Sequence, residues 1–200
     1  MNRLVFMIGS IFFIAGISCV IYSFSLINIQ EKEQREALAE AKAAMIQSSV
    51  TQKENELPLT TSALEYSFSK GEVMGILSIP TLERELPIVS GTDEAELEKG
   101  VGHYSPTNLP GQQNRIFLAG HRDTVFKQMG ELKIGDKLEI QMKSGMYEYE
   151  IFETLIVDET DLSVIQPTAP EEILTLSTCY PFEYLSSTEE RYIINARKIE

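Results

Sequence analysis

The stretch Lys137-Leu138-Glu139-Ile140-Gln141-Met142, followed by Ser144-Gly145 and then Met146-Tyr147-Glu148-Tyr149-Glu150-Ile151-Phe152, decides the fold class. Apolar and polar side chains alternate on both sides of a turn signal, which is the period-two pattern of two half-buried strands joined as a hairpin. Upstream, Val73 to Ile79 and Leu86 to Val89 are short β-prone runs closed by Pro80 and Ser90-Gly91, and Arg115 to Gly120 reads as another strand. Downstream, Glu172 to Cys179 and Arg191 to Ala196 finish the chain in the same way. Asp93 to Lys99 reads as a short helix, capped by Asp93 or Thr92 and stopped at Gly100. About eight short strands in about 130 residues, with only short helices, predict a mainly β fold: a closed or nearly closed barrel, or a sandwich. A barrel removes exposed edges, which suits so small a sheet protein.

Composition narrows the function. The chain has 200 residues, with 17 Lys and Arg against 30 Asp and Glu, for a formal net charge of −13. That balance argues against a nucleic-acid partner, because neutralising phosphates needs clustered basic side chains. A hydrophobic content of 43% is enough for a core and excludes a fully disordered chain. Two cysteines, Cys19 and Cys179, cannot build a disulfide scaffold. With His103 and His121 as the only histidines, a four-ligand zinc site is also disfavoured, so no metal and no cofactor are expected.

From Leu4 to Ile29 no residue is charged, and the run is long enough to span a bilayer as a helix. It exceeds the h-region of a cleaved signal peptide, and the Ala-x-Ala matches at Ala37 to Ala41 lie well beyond it, so a retained transmembrane anchor over residues 1–30 is expected. Basic residues flank both ends (Arg3 on one side, Lys32, Arg35 and Lys42 on the other), and charge alone leaves the topology open. Glu31 to Ser49 reads as a helix with one weak apolar face (Leu38, Ala41, Met45), expected as a solvated stalk. Val50 to Lys70 loses periodicity and is expected as a linker, which completes a 31–70 segment before a domain at 71–200.

Three side chains near strand ends could do chemistry. Cys179 stands at the end of an apolar strand, and Pro181 forces the chain out of the sheet just after it. A lone Cys there is also compatible with simple packing. His121 follows the strand ending at Gly120 and could be satisfied by Asp123, with His103 as its competitor for a catalytic role. Arg191 opens the last strand and could be a surface residue paired with Glu189 or Glu190. As a set they form a kit for acyl transfer. A thiol needs a base or a cation to become a strong nucleophile, an imidazole can pass a proton to a leaving amine, and a guanidinium can stabilise an oxyanion.

Thr175-Leu176-Ser177-Thr178-Cys179-Tyr180-Pro181-Phe182, with Arg191-Tyr192-Ile193-Ile194 downstream, resembles the signature of the sortases. Leu118-Ala119-Gly120-His121-Arg122 resembles the family's histidine motif, and Gly100-Val101-Gly102-His103-Tyr104 through Pro110-Gly111 and Asn114 resembles the segment leading to it. The similarity covers about Gly71 to Glu200 and implies a closed eight-stranded sortase-type barrel, preceded here by the transmembrane helix. It implies a cysteine transpeptidase of Gram-positive bacteria with Cys179 as nucleophile, His121 as general acid/base and Arg191 as the oxyanion or carbonyl partner. Thr178 and Tyr180 beside the nucleophile are expected at the substrate, and His103 falls outside the triad.

Tyr-Pro-Phe after the cysteine is most similar to class D. The absence of an Asp-Pro-Trp lid and of a second hydrophobic segment after Glu200 points away from the pilin-polymerising class C. Residues 185–190 (Leu-Ser-Ser-Thr-Glu-Glu) depart from the Gly and Ala-Pro usual there in class D. The resemblance implies an LPxT-type sorting signal (LPNTA-like for class D), a peptidoglycan cross-bridge amine such as diaminopimelate as acceptor, and an extracellular barrel on the cell membrane. Asp158, Glu159 and Asp161 are expected as a solvated acidic loop rather than a calcium site. The alternatives are a membrane-tethered cysteine peptidase and an anchored binding module with a structural Cys179.

Overall fold

From Val73 onward the alternating stretches become strands. The computed structural model describes residues 2–54, 67–183 and 188–199, excepting the side chains of 2–6, 8–10, 24, 26–28 and 47–54. A long helix, α1 (Asn2–Glu54), precedes β1 (Val73–Ile79), β2 (Arg84–Ser90), a short α2 (Glu94–Lys99), β3 (Val101–His103) and β4 (Arg115–Ala119). Then come β5 (Lys137–Met142), β6 (Gly145–Asp158), β7 (Ile173–Tyr180) and β8 (Glu190–Lys198). The strands close into a barrel in the order β1-β2-β3-β4-β7-β8-β6-β5. Closure selects the barrel over the sandwich. β2 with β3 and β4 with β7 pair in parallel, and the remaining neighbours are antiparallel.

The barrel interior takes the apolar set of each alternation: Leu77, Leu118, Leu138, Ile140, Ile151 and Leu174 are among its fully buried members. Two strands depart from the sequence reading. β3 is three residues long, too short to show a period, and joins the sheet through its parallel register Ile88↔Val101 and Val89↔Gly102. β6 runs on past Phe152 to Asp158 because a bulge between Ile151 and Glu153 breaks the period without ending the strand.

The expectation of a solvated stalk is corrected. Ala37, Ala41 and Met45, spaced at i, i+4 and i+8, are buried where α1 packs on β1, β2 and α2. Small alanines let the helix approach the sheet closely, and Lys42 Nζ pairs with Glu85 Oε2 at 2.5 Å beside them. The helix also runs beyond Ser49, to Glu54, and residues 55–66 of the expected linker lie outside the described residues. Among the described residues no helix is long and apolar enough to cross a membrane. Ten residues of the apolar run Leu4 to Ile29 have side chains outside that description.

The chain before β4 is fixed by two side chains. The buried Glu172 carboxylate accepts from the amides of Gly111 (3.0 Å) and Gln113 (3.1 Å) and from the Tyr149 hydroxyl (2.8 Å). Gly111 has φ +89°, and a side chain there would crowd the Tyr147 ring, which accounts for glycine after Pro110. Asn114 Oδ1 accepts from the amides of Thr168 (2.8 Å) and Ala169 (3.2 Å), tying the loop after β6 to the root of β4.

Placing a charge in the α1 contact should undock it. In a fragment comprising residues 31–200, Ala41→Glu should cost about 2 kcal/mol, the scale of burying one apolar side chain, and lower Tm by about 4–8 °C. Ala43→Glu, on the exposed face, should leave the melt unchanged. Equal melts for the two variants would show that the helix is not held.

Candidate active site

The register of three neighbouring strands assembles the site. Cys179 is the cross-strand partner of Arg191 in the β7–β8 ladder. β4 runs parallel to β7 with Ala119 opposite Ser177, and the ladder continues one bond further, from Gly120 N to Ser177 O at 3.1 Å. His121 follows directly after Gly120, at the end of β4 that adjoins the Cys179 end of β7. Leu174 and Leu176 point into the barrel, so Cys179 lies on the outward set of β7, and its partner Arg191 shares that face. Cys179, His121 and Arg191 thus stand on adjoining strand ends at one rim of the barrel, 58 and 12 positions apart in the sequence.

Each side chain has a defined setting. Cys179 is a free, half-buried thiol. His121 Nε2 lies 3.5 Å from Glu94 Oε1 at the start of α2, so its carboxylate neighbour is Glu94 rather than Asp123. Gly120 before it is required by space: a Cβ there would stand 2.6 Å from Val125 and 2.7 Å from Phe126. Arg191 donates through Nη1 to the carbonyls of Thr188 (2.6 Å) and Glu190 (3.1 Å) and through Nη2 to Glu159 Oε2 (2.5 Å). Its ion-pair partner is therefore Glu159, not the side chain of Glu189 or Glu190.

Thr178 and Tyr180 take different places. Thr178 is 3% exposed, and its hydroxyl donates to the Gly120 carbonyl at 2.7 Å. It pins the histidine strand to the cysteine strand and has no surface to offer a substrate. Tyr180 stacks on Tyr192 (centroids 6.2 Å apart, planes at 24°) and meets Phe182 edge-on, building an aromatic wall next to Cys179. Arg122 Nη1 donates to the Pro181 carbonyl at 2.9 Å and braces that wall.

His103 stays apart from the rim. It is buried, its Nε2 lies 3.0 Å from the Asn108 carbonyl, and burial pushes its imidazole below the ordinary histidine range. The acidic loop after β6 holds no metal cluster among the described residues. Asp158 accepts from the Thr160 amide (2.9 Å) and hydroxyl (2.5 Å), Asp161 from the Ser163 amide (2.9 Å), and these bonds hold both carboxyls below the usual carboxylate range. Residues 184–187, which include half of the departure from the class D pattern, lie outside the described residues.

Comparison with known proteins now adds to the geometry. A family model described as the sortase domain matches residues 77–199. The chain belongs to the sortase family. It is 41% identical over 177 residues to "Sortase D" of Bacillus subtilis (strain 168), covering 88% of this chain and 89% of that one. It is 34% identical over 130 residues to "Sortase A" of Listeria monocytogenes, covering 62% and 58% respectively. Among solved structures, a Clostridium perfringens sortase D5 transpeptidase shares the fold, with a TM-score of 0.68, 22% identity, and coverage of 84% of this chain and 99% of that chain. The protein is accordingly a cysteine transpeptidase of the sortase family, and its similarity leans to class D.

Sequence reasoning missed Glu94, Glu159 and the structural use of Thr178. The hydroxyl-to-Gly120 bond links positions 58 apart, and no local pattern announces it. Thr178→Val should therefore lower stability by about 1–2 kcal/mol through the unpaired Gly120 carbonyl, with a matching loss of turnover. Full activity in a chemical melt-matched sample would remove that role. His103 carries a pH dependence. Unfolding lets it bind a proton that the fold refuses, so stability should fall as pH drops below about 6.5, by at most about 1.4 kcal/mol per pH unit. His103→Gln should flatten that part of the curve, and parallel curves for variant and parent would disprove it.

Proposed function

We propose that this sortase cleaves an LPxT-type sorting signal after Thr and joins the new carboxyl to a peptidoglycan cross-bridge amine. In this reading Cys179 Sγ gives up its proton to His121 and attacks the threonine carbonyl, and N–H groups of Arg191 stabilise the resulting oxyanion. His121 protonates the departing amine as the C–N bond breaks, leaving a thioacyl enzyme. It then takes the proton of the incoming amine, which attacks the thioester, forms the new amide and releases the thiol. The observation that supports the reading is the β4-β7-β8 register: Cys179 is the cross-strand partner of Arg191, and the ladder from β7 to β4 continues to Gly120, next to His121. The aromatic wall of Tyr180, Phe182 and Tyr192 supports an apolar boundary for the peptide. The similarity to sortase D favours an LPNTA-like signal and a diaminopimelate amine.

The same reading makes residues 1–30 a single-pass anchor of a Gram-positive cell membrane, residues 31–70 a helical connection, and residues 71–200 an extracellular catalytic barrel. Its support is physical: residues 11–23 of α1 are exposed on every side, with Ile11, Phe12, Phe13, Ile14, Val20 and Ile21 each more than half exposed. A helix apolar all round belongs in lipid, because burial of such surface is worth about 25 cal/mol per Å².

Mass spectrometry of the purified protein with an LPNTA-type peptide and an amine acceptor tests the activity. A threonine–acceptor amide should form, and Cys179→Ala should abolish it by at least about a thousandfold, as expected for loss of a nucleophile. Threonine acid as the sole product would make the enzyme a peptidase. No cleavage of this peptide or of an LPxTG series would remove the assigned signal.

A further inference from the structure

The acidic loop after β6 gathers no group of three possible metal ligands among the described residues, and one of its carboxylates reaches the rim. Glu159 contacts the strand entering β8 twice. Its Oε2 accepts from Arg191 Nη2 at 2.5 Å, and its amide donates to the Glu189 carbonyl at 2.6 Å. The flanking carboxylates are committed elsewhere, Asp158 to Thr160 and Asp161 to Ser163. Those turns fix the loop, so Glu159 is presented to Arg191 from a shaped backbone rather than from a free tail.

A guanidinium carries five N–H donors in a fixed fork. Three are used here: two by the Thr188 and Glu190 carbonyls on Nη1 and one by Glu159 on Nη2. Among the described residues two remain, Nε–H and one hydrogen of Nη2. Two adjacent donors of one edge are what a developing oxyanion requires, provided the plane of the group does not turn. We infer that Glu159 is the positioning residue for Arg191, fixing the guanidinium so that its free edge serves the oxyanion formed at Cys179. The inference rests on the role proposed above for Arg191. It also gives the loop between β6 and β7 a hold on the end of the loop between β7 and β8.

A half-exposed surface pair adds little to folding, so the contribution of Glu159 should show in turnover and not in the melt. An interaction made with the oxyanion acts in the transition state and moves kcat more than KM. In the full chain, with the LPNTA-type peptide and amine acceptor, Glu159→Ala should lower kcat about tenfold or more, with KM within about twofold and Tm nearly unchanged. Glu159→Gln keeps an acceptor oxygen and should stay within about threefold of the parent. Adding Glu159→Ala to Arg191→Ala should cost less than about twofold further, since the two act as one unit.

Unchanged or increased kcat in Glu159→Ala, while Arg191→Ala is disabled, would overturn the inference and leave the role of Arg191 standing. A tenfold loss repeated in the Arg191→Ala background would overturn it too, because Glu159 would then act independently. If Arg191→Ala itself turns over normally, the proposed role of Arg191 falls, and this inference with it.

Discussion

The structure depends on one pairing choice: β4 lies parallel to β7, and β8 lies antiparallel on the other side of β7. Parallel neighbours end at the same edge of a sheet, and an antiparallel neighbour begins there. The ends of two strands and the start of a third therefore meet at one rim, where the chain carries His121, Cys179 and Arg191. Parallel pairing cannot be made by a tight turn and needs a long crossover. Here the crossover contains the β5–β6 hairpin, the element whose alternation is easiest to see in the sequence. The Thr178 hydroxyl on the Gly120 carbonyl locks the junction at the rim itself.

Away from the rim, the outer face of the same strands is held by polar groups. Arg115 reaches the Gln166 carbonyl (2.6 Å) and the Thr175 hydroxyl (2.6 Å), Thr175 donates to Asn195 (2.8 Å), and Asn195 donates to Glu153 (2.8 Å). The chain of bonds crosses β4, β7, β8 and β6 in turn. Burial pushes the Arg115 guanidinium down from its ordinary value, and the nearby Glu153 carboxylate acts the other way. At the opposite barrel end Glu172 plays the same part for the Gly111 turn. There, burial first and Glu172 second push the Tyr149 phenol well above its ordinary range, which keeps it a neutral donor. Both networks fix loops whose backbone amides would otherwise be unpaired in the interior.

The sequence made visible what is periodic or locally punctuated. The β5–β6 hairpin, the strand before His121 and the two C-terminal strands all alternate, and the three short blocks around His121, Cys179 and Arg191 point to the family. What it left hidden is non-local. β3 is too brief to carry a period, and the bulge after Ile151 erases the period of β6 halfway. Glu94 and Glu159 look like any other members of a chain with 30 acidic residues, and only the fold brings one to His121 and the other to Arg191. The weak apolar face of the helix was legible in Ala41 and Met45, but a face with so few large side chains gives no hint that a sheet will cover it.

That docked face constrains how the barrel sits on α1. A helix rises about 1.5 Å per residue, so Ala41, twelve residues beyond Ile29, stands about 18 Å along the axis from the end of the apolar run. If that run lies in the bilayer, a flexible tether would let the barrel sample a wide shell, whereas a continuous helix packed on β1, β2 and α2 allows one height and a narrow range of tilts. The contact includes α2, and α2 supplies Glu94 beside His121. α1 and the part of the rim beside His121 are thus parts of one packed unit. If that run is an anchor, such a fixed mount would settle the orientation of the rim relative to the surface before a substrate arrives.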